Sequence, residues 1–158
     1  MRVMGIDPGI ASTGYGIVSQ VQGRLKFEQA GCIRTCADQP IACRLQLIYN
    51  QLQGLIALHQ PQVVALEEVF VANNCKLSLD LGQAIGVARL AAVQAGLEVF
   101  SYSALQVKQA VVGYGRAQKQ QVQVMVKTLL ALPQPPANDH AADALAVAIC
   151  HLHTKIYG

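Results

Sequence analysis

The chain is short of charge. Only 13% of its 158 residues are Asp, Glu, Lys or Arg, while 53% are hydrophobic and the mean hydropathy is +0.32. That balance excludes intrinsic disorder, because so apolar a chain can bury enough surface to fold. Long apolar runs are missing too. The longest, Ala144 to Cys150, falls far short of the roughly 20 residues that span a bilayer, so no membrane partner is expected. No secretory signal opens the chain, since Asp7 and Pro8 interrupt any candidate apolar region. Internal repeats, low-complexity tracts and dividing linkers are also absent. The 158 residues therefore suit a single domain, 1–158, with a core of its own. A compact, soluble, cytoplasmic protein is the expectation.

The five cysteines, at 32, 36, 43, 75 and 150, make an odd count, which argues against a disulfide framework. Cys32, Cys36 and Cys43 with His151 and His153 match no compact zinc knuckle. Free thiols in a reducing compartment are the better reading. The acids also have a gap. None lies between Glu98 and Asp139, an interval that holds Lys108, Arg116, Lys119 and Lys127 and so carries +4, against +3 for the whole chain. A solvated helical face and a polyanion-binding surface both fit that pattern.

What is present reads as alternating elements. Residues 2–7, 14–20 and 25–33 form short strands separated by Pro8-Gly9 and by Gly23, spacing that favours an antiparallel meander. Ile41, Leu45, Ile48, Leu52 and Leu55 recur at helical spacing, predicting a helix over about 40–59 with Pro40 in its first turn. A strand at 63–67, a helix from about Leu77 to near Gly96, and a strand at 98–102 follow. Ser103 and Gln106 look like a capping box for a short helix. Gly113-Tyr114-Gly115 breaks that helix, another covers about 117–130, and an alanine-rich one runs over about 138–154. The order implies an α/β fold: a mixed five-stranded sheet with helices on both faces, its first and fourth strands parallel at the centre. Ligands in such sheets sit beyond the carboxyl ends of the central strands.

Acids stand at those ends. Asp7 closes the first strand and Glu67 the fourth, each after an apolar run. Two converging carboxylates make a hard oxygen site suited to magnesium or manganese. An Asp-Pro-Gly turn explains Asp7 equally simply, and Glu68 is a direct rival to Glu67. His140 and Asp143, three residues apart, project from one face of the last helix's first turn. Because that helix is apolar nearly all round, a polar pair there points at something polar. Capping is the competing account: Asn138, Asp139 or Asp143 could satisfy the first turn and its dipole, with Asp139 the first choice.

Taken together, Gly5-Ile6-Asp7-Pro8-Gly9, Leu66-Glu67-Glu68-Val69-Phe70, Gln106-Val107-Lys108-Gln109 and His140-Ala141-Ala142-Asp143-Ala144-Leu145-Ala146 resemble the RuvC family of Holliday-junction resolvases. The likeness runs from Met1 to His153. It implies a ribonuclease H-like fold and a homodimeric, magnesium-dependent endonuclease that cuts four-way DNA junctions in recombination and repair, with RuvA and RuvB as partners. It further implies two ions per active site, Mg2+ with Mn2+ able to substitute. Asp7 would then bridge the ions, Glu67 would ligate one, and His140 with Asp143 the other. The family pattern often has Asp at position 140. An imidazole there exchanges a charge for a neutral donor and favours softer ions.

Phe70 matches an aromatic suited to stacking on bases at the crossover; a core aromatic is the alternative. Lys119 would face the scissile phosphate, and Lys108, Arg116 and Lys127 would position the DNA backbone. Three rivals stand beside this reading. A junction-binding module without catalysis is distinguished by nicking assays. A kinase-type phosphate loop at Asp7-Pro8-Gly9 with Thr13-Gly14-Tyr15-Gly16 needs a duplicated domain, for which there is no room. A hybrid nuclease of the same fold is separated by competition between hybrid and junction.

Overall fold

In the computed structural model, residues 1–69 and 75–157 are described. The elements in chain order are β1 (Arg2–Asp7), β2 (Ser12–Val21), β3 (Arg24–Arg34), α1 (Ile41–His59), β4 (Val63–Glu68), α2 (Cys75–Gln94), β5 (Glu98–Ser103), α3 (Ala104–Val112), α4 (Lys119–Leu129) and α5 (Asp139–Tyr157). The five strands form one open sheet in the order β3-β2-β1-β4-β5. β1, β2 and β3 pair antiparallel, and β1 and β4 run parallel at the centre. The meander and the central parallel pair expected from the sequence are both present.

Pleating divides the core into two halves. Val3, Val18, Val63 and Ala65 face α3, α4 and α5, while Met4, Ile6, Ile17, Val64 and Leu66 face α1 and α2. Side chains alternate along a strand, so residues 3, 5 and 7 of β1 share one face with 63, 65 and 67 of β4. That face belongs to α5.

Glycine decides how closely α5 sits. A Cβ at Gly5 would overlap the Ala144 carbonyl, and one at Gly14 would overlap the carbonyl and Cβ of His140. Bare backbone on the sheet meets alanine on the helix, and α5 lies directly against β1 and β2. Leu145, Ile149 and Leu152 are fully buried there, each contributing about 1.5–3 kcal/mol.

Two helix starts differ from expectation. Pro40 is the N-cap of α1, one residue outside the helix. The cap of α5 is Asn138 rather than Asp139: its Oδ1 accepts from the amides of His140 at 2.8 Å and Ala141 at 3.3 Å. Asp139 is drawn instead to α4. The Ser103–Gln106 capping box forms as its spacing suggests. No helix among the described residues is long and apolar enough to cross a membrane.

Candidate active site

The parallel ladder pairs Ile6 with Leu66, so one step further Asp7 stands beside Glu67, about 5 Å away across the strands. Both point to the α5 face. The same pleat turns Glu68 toward the α2 side, away from Asp7. From above, the first turn of α5 brings down His140 and Asp143. Sheet and helix together gather all four residues singled out in the sequence.

The contacts fall into two sets. His140 Nδ1 lies 2.9 Å from Asp7 Oδ2, and with Asp7 ionised that nitrogen is the donor. Lys119 Nζ, at the start of α4, donates to Asp143 Oδ2 at 3.2 Å and lies 3.4 Å from Asp139 Oδ2. Glu67, Lys108, Lys119 and Asp143 line a cleft of about 260 Å³, floored by Ala104, Val107, Val122 and Ala146. Two of the four cations expected to meet DNA, Lys108 and Lys119, thus stand at the acids. Arg116, exposed between α3 and α4, and Lys127, about 12 Å along α4 from Lys119, do not line the cleft. Phe70 lies outside the described residues.

Burial sets the electrostatics. It pushes the Asp7 carboxyl above its ordinary value; the His140 hydrogen bond pulls back, and the Asp143 charge adds to the rise. Glu67 is pushed up to about 7, first by burial and then by the charges of Asp7 and Asp143, with Lys119 and Lys108 opposing. For Lys119, partial burial alone would lower the ammonium, but Asp143 and then Asp139 outweigh it and raise its pKa.

Three carboxylates crowd where their mutual repulsion is felt, and carboxylate and imidazole are donors that a divalent cation accepts. The donor set therefore fits such an ion. Among the described residues, however, no three His, Cys, Asp or Glu side chains are grouped as a metal ion would need; Asp7 stands against His140 and Asp143 against Lys119.

The cysteines and late histidines have other places. Cys32, Cys36, Cys43 and Cys150 are free thiols, and burial raises the Cys150 thiol to about 11. The buried His151 pairs through Nδ1 with the Tyr102 hydroxyl at 2.7 Å, and His153 Nδ1 donates to the Ala110 carbonyl. The Thr13-Gly14-Tyr15-Gly16 stretch also finds its reason. Thr13 Oγ1 donates to the Gly9 carbonyl at 2.6 Å, pinning the turn after Asp7, and Gly14 clears space for His140. Gly14 pairs directly with Asp7 in the sheet. A glycine facing a strand-end acid was the one sequence signal for that clearance. Gln123, which holds Asp139, had only its spacing of four from Lys119.

An open mixed sheet, with acids at two central strand ends and on the helix that closes over them, defines the ribonuclease H-like class of fold. The family model described as "Crossover junction endodeoxyribonuclease RuvC" matches residues 3–151. A relative of that name from Pelotomaculum thermopropionicum is 56% identical over 153 residues, 97% of this chain and 93% of its own. The Thermus thermophilus RuvC structure superposes with a TM-score of 0.92 at 34% identity, covering 100% of this chain and 97% of that one. The same protein in complex with a Holliday junction substrate gives 0.95 at 34% identity, covering 100% and 96%. The chain belongs to the RuvC family of crossover junction endodeoxyribonucleases.

Proposed function

We propose that the chain is a Holliday-junction resolvase that hydrolyses phosphodiesters with Asp7, Glu67, His140 and Asp143 as its metal-holding residues, in a nuclease domain spanning 1–158. The observation that carries the reading is the convergence of these four side chains from β1, β4 and α5 beside a cleft that Lys108 and Lys119 also line. The four would hold two divalent ions, magnesium with manganese able to substitute, which when bound supply an activated water and charge relief for hydrolysis.

The chain's own groups do the positioning. Lys108 and Lys119 place a phosphate over the acids, binding backbone rather than bases. The His140 Nδ1–H holds one oxygen of Asp7, leaving the other free of that bond. Val107, Val122 and Ala146 give the cleft an apolar floor, so its polar contacts are confined to the lysines and acids at its walls. Arg116 and Lys127, off the cleft, would meet more distant phosphates, and Phe70 would stack at the crossover.

Paired cuts call for two equal sites and hence a two-fold dimer. Leu79, Leu90 and Val93 lie 67%, 50% and 63% exposed along one face of α2. Gly82 and Gly86 lie between them with open space above. Such a stripe suits close packing against its own copy, and we place the dimer contact there. RuvA and RuvB are the partners this reading implies. The relatives are bacterial, and in such a cell the junctions lie in the cytoplasm, where we place the protein.

The deciding experiment incubates the protein with a synthetic four-way junction or a matched duplex, with and without magnesium. Paired nicks in the junction alone, dependent on magnesium and lost in Asp7→Asn while junction binding persists, are expected. Binding without nicking in magnesium or manganese would leave a junction-binding module. Preferential cutting of an RNA–DNA hybrid would make it a hybrid nuclease.

A further inference from the structure

Asp139 is held as an instrument is clamped. Its Oδ1 accepts from Gln123 Nε2 at 2.9 Å, and its Oδ2 lies 3.4 Å from Lys119 Nζ. Lys119 and Gln123 stand four residues apart on one face of α4. Two side chains from that face therefore grip one carboxylate of α5, each by its own oxygen. Rotation of the carboxylate is fixed, and with it the direction in which Lys119 extends.

Stability does not account for the arrangement. The side chains of Lys119 and Asp139 are 53% and 67% exposed, and so exposed a pair adds little to stability. Capping does not account for it either, because Asn138 caps α5. An acid in the first turn suits the helix dipole, yet the dipole gives no reason for Gln123 and Lys119 to converge on it. Asp139 moreover ends the acid-free interval beside the cleft, where a negative charge repels a polyanion.

We infer that Asp139 is a positioning residue for Lys119, an inference that rests on Lys119 being the phosphate-facing cation. Lys119 has two tethers, Asp143 and Asp139. Asp143 is among the residues that would hold a metal ion, and a carboxylate so engaged has less charge left for an ammonium. Held by Asp143 alone, the flexible four-carbon stem would swing into solvent when the phosphate arrives. Asp139 takes no part in that ligand set and keeps Lys119 at the mouth of the cleft.

The test uses the full chain, a synthetic four-way junction and single-turnover conditions. Asp139→Asn should lower the cleavage rate about tenfold, less than the hundredfold that a misplacement of about 1 Å costs. Its junction affinity, measured in calcium, should stay level or tighten, because a repelling charge is gone. Asp139→Glu should recover part of the rate, and Gln123→Ala, which loosens only half of the clamp, should lose less than Asp139→Asn.

In a Lys119→Ala background Asp139→Asn should have no further effect. Without DNA or metal, acylation of Lys119 by an amine reagent, followed by mass spectrometry, should quicken about threefold in Asp139→Asn. A wild-type rate in Asp139→Asn alongside an impaired Lys119→Ala overturns the inference. So does an Asp139→Asn loss that persists undiminished without Lys119, or unchanged acylation. Full activity in Lys119→Ala would instead overturn the role given to Lys119 itself.

Discussion

Replacing Glu67 by Gln should stabilise the metal-free protein while destroying its cleavage activity. Glu67 titrates near 7 in the fold against 4.5 for an ordinary glutamate, raised first by burial and then by Asp7 and Asp143. The unfolded chain releases this proton around pH 4.5, whereas the folded chain keeps it to about 7. Over that window the native state binds more protons, so stability falls as pH rises. Below about 4.5 both states are protonated and the penalty vanishes; above about 7 it is complete. The full shift corresponds to about 3 kcal/mol. Glu67 retains partial access to solvent, and screening reduces this to about 1–2 kcal/mol.

For a chain of this length that is a gain of roughly 2–8 °C in melting temperature for Glu67→Gln at pH 8. The assay is thermal unfolding of both proteins in chelator at pH 4 and pH 8. The gap should be absent at the lower pH and open at the higher. Adding magnesium at pH 8 should then raise wild type more than the variant. Equal melting at both pH values, or a variant less stable at pH 8, would refute the claim that burial and the neighbouring acids together hold the Glu67 carboxyl up in the fold.

Three further outcomes follow from the same geometry. His140→Asp should keep nicking and shift its preference toward magnesium; in chelator it should melt lower, because Asp7 exchanges a donor at 2.9 Å for a like charge. Metal-dependence curves and melts check both, and a folded, junction-binding but inactive variant would mean that the imidazole does something an acid cannot. Lys108→Ala and Lys119→Ala should each flatten the salt dependence of junction binding by about one unit, as loss of a single phosphate contact does; unchanged slopes would return both to a solvated face. Gly14→Ala should lower stability by about 1–3 kcal/mol, the usual cost of overpacking, and its cleavage rate should fall further than its melt alone explains, since the displaced group is His140 itself.

Much of this was legible in the sequence because it depends on period. Apolar runs ending in Asp7 and Glu67, the Pro8-Gly9 turn and the 3.6-residue spacing of Ile48 and Leu52 are all one-dimensional signals. They gave the sheet and both strand-end acids. Glu67 and Glu68 became distinguishable once Val63 and Ala65 were seen on the α5 face, because a strand cannot present neighbouring residues to the same side. Contacts between helices were not legible. Whether Asp139 caps its own helix or reaches Gln123 depends on how α4 is rotated against α5, which packing of Val122 and Val126 into the core decides. Asn138 one residue earlier then takes the cap. Lys119, Arg116 and Lys127 look alike in sequence, yet only Lys119 starts a helix at the acids.

The site is strained by its charges and cannot relax, and the packing explains why. Burial first and then the neighbouring acids raise the Glu67 carboxyl, and together they cost about 1–2 kcal/mol above pH 7. Against that cost stands α5, whose Leu145, Ile149 and Leu152 are each worth about 1.5–3 kcal/mol buried. To separate the carboxylates, α5 would have to lift from β1 and β2 and expose these side chains together. Gly5 and Gly14 make the converse true as well: with no Cβ beneath the helix, it settles until backbone meets backbone, holding His140 over Asp7. Packing thus fixes the acids at a separation that electrostatics alone would not choose. His140, Lys119 and Lys108 relieve the acids only in part; the rest comes from outside the chain, as a cation or as protons, and the two compete for the same oxygens. Divalent binding should therefore release protons near neutral pH, chiefly from Glu67, whose pKa lies near 7. Calorimetry in buffers of different ionisation enthalpy would read that release, and an uptake of zero protons at pH 6.5 would mean that the ion binds without displacing any.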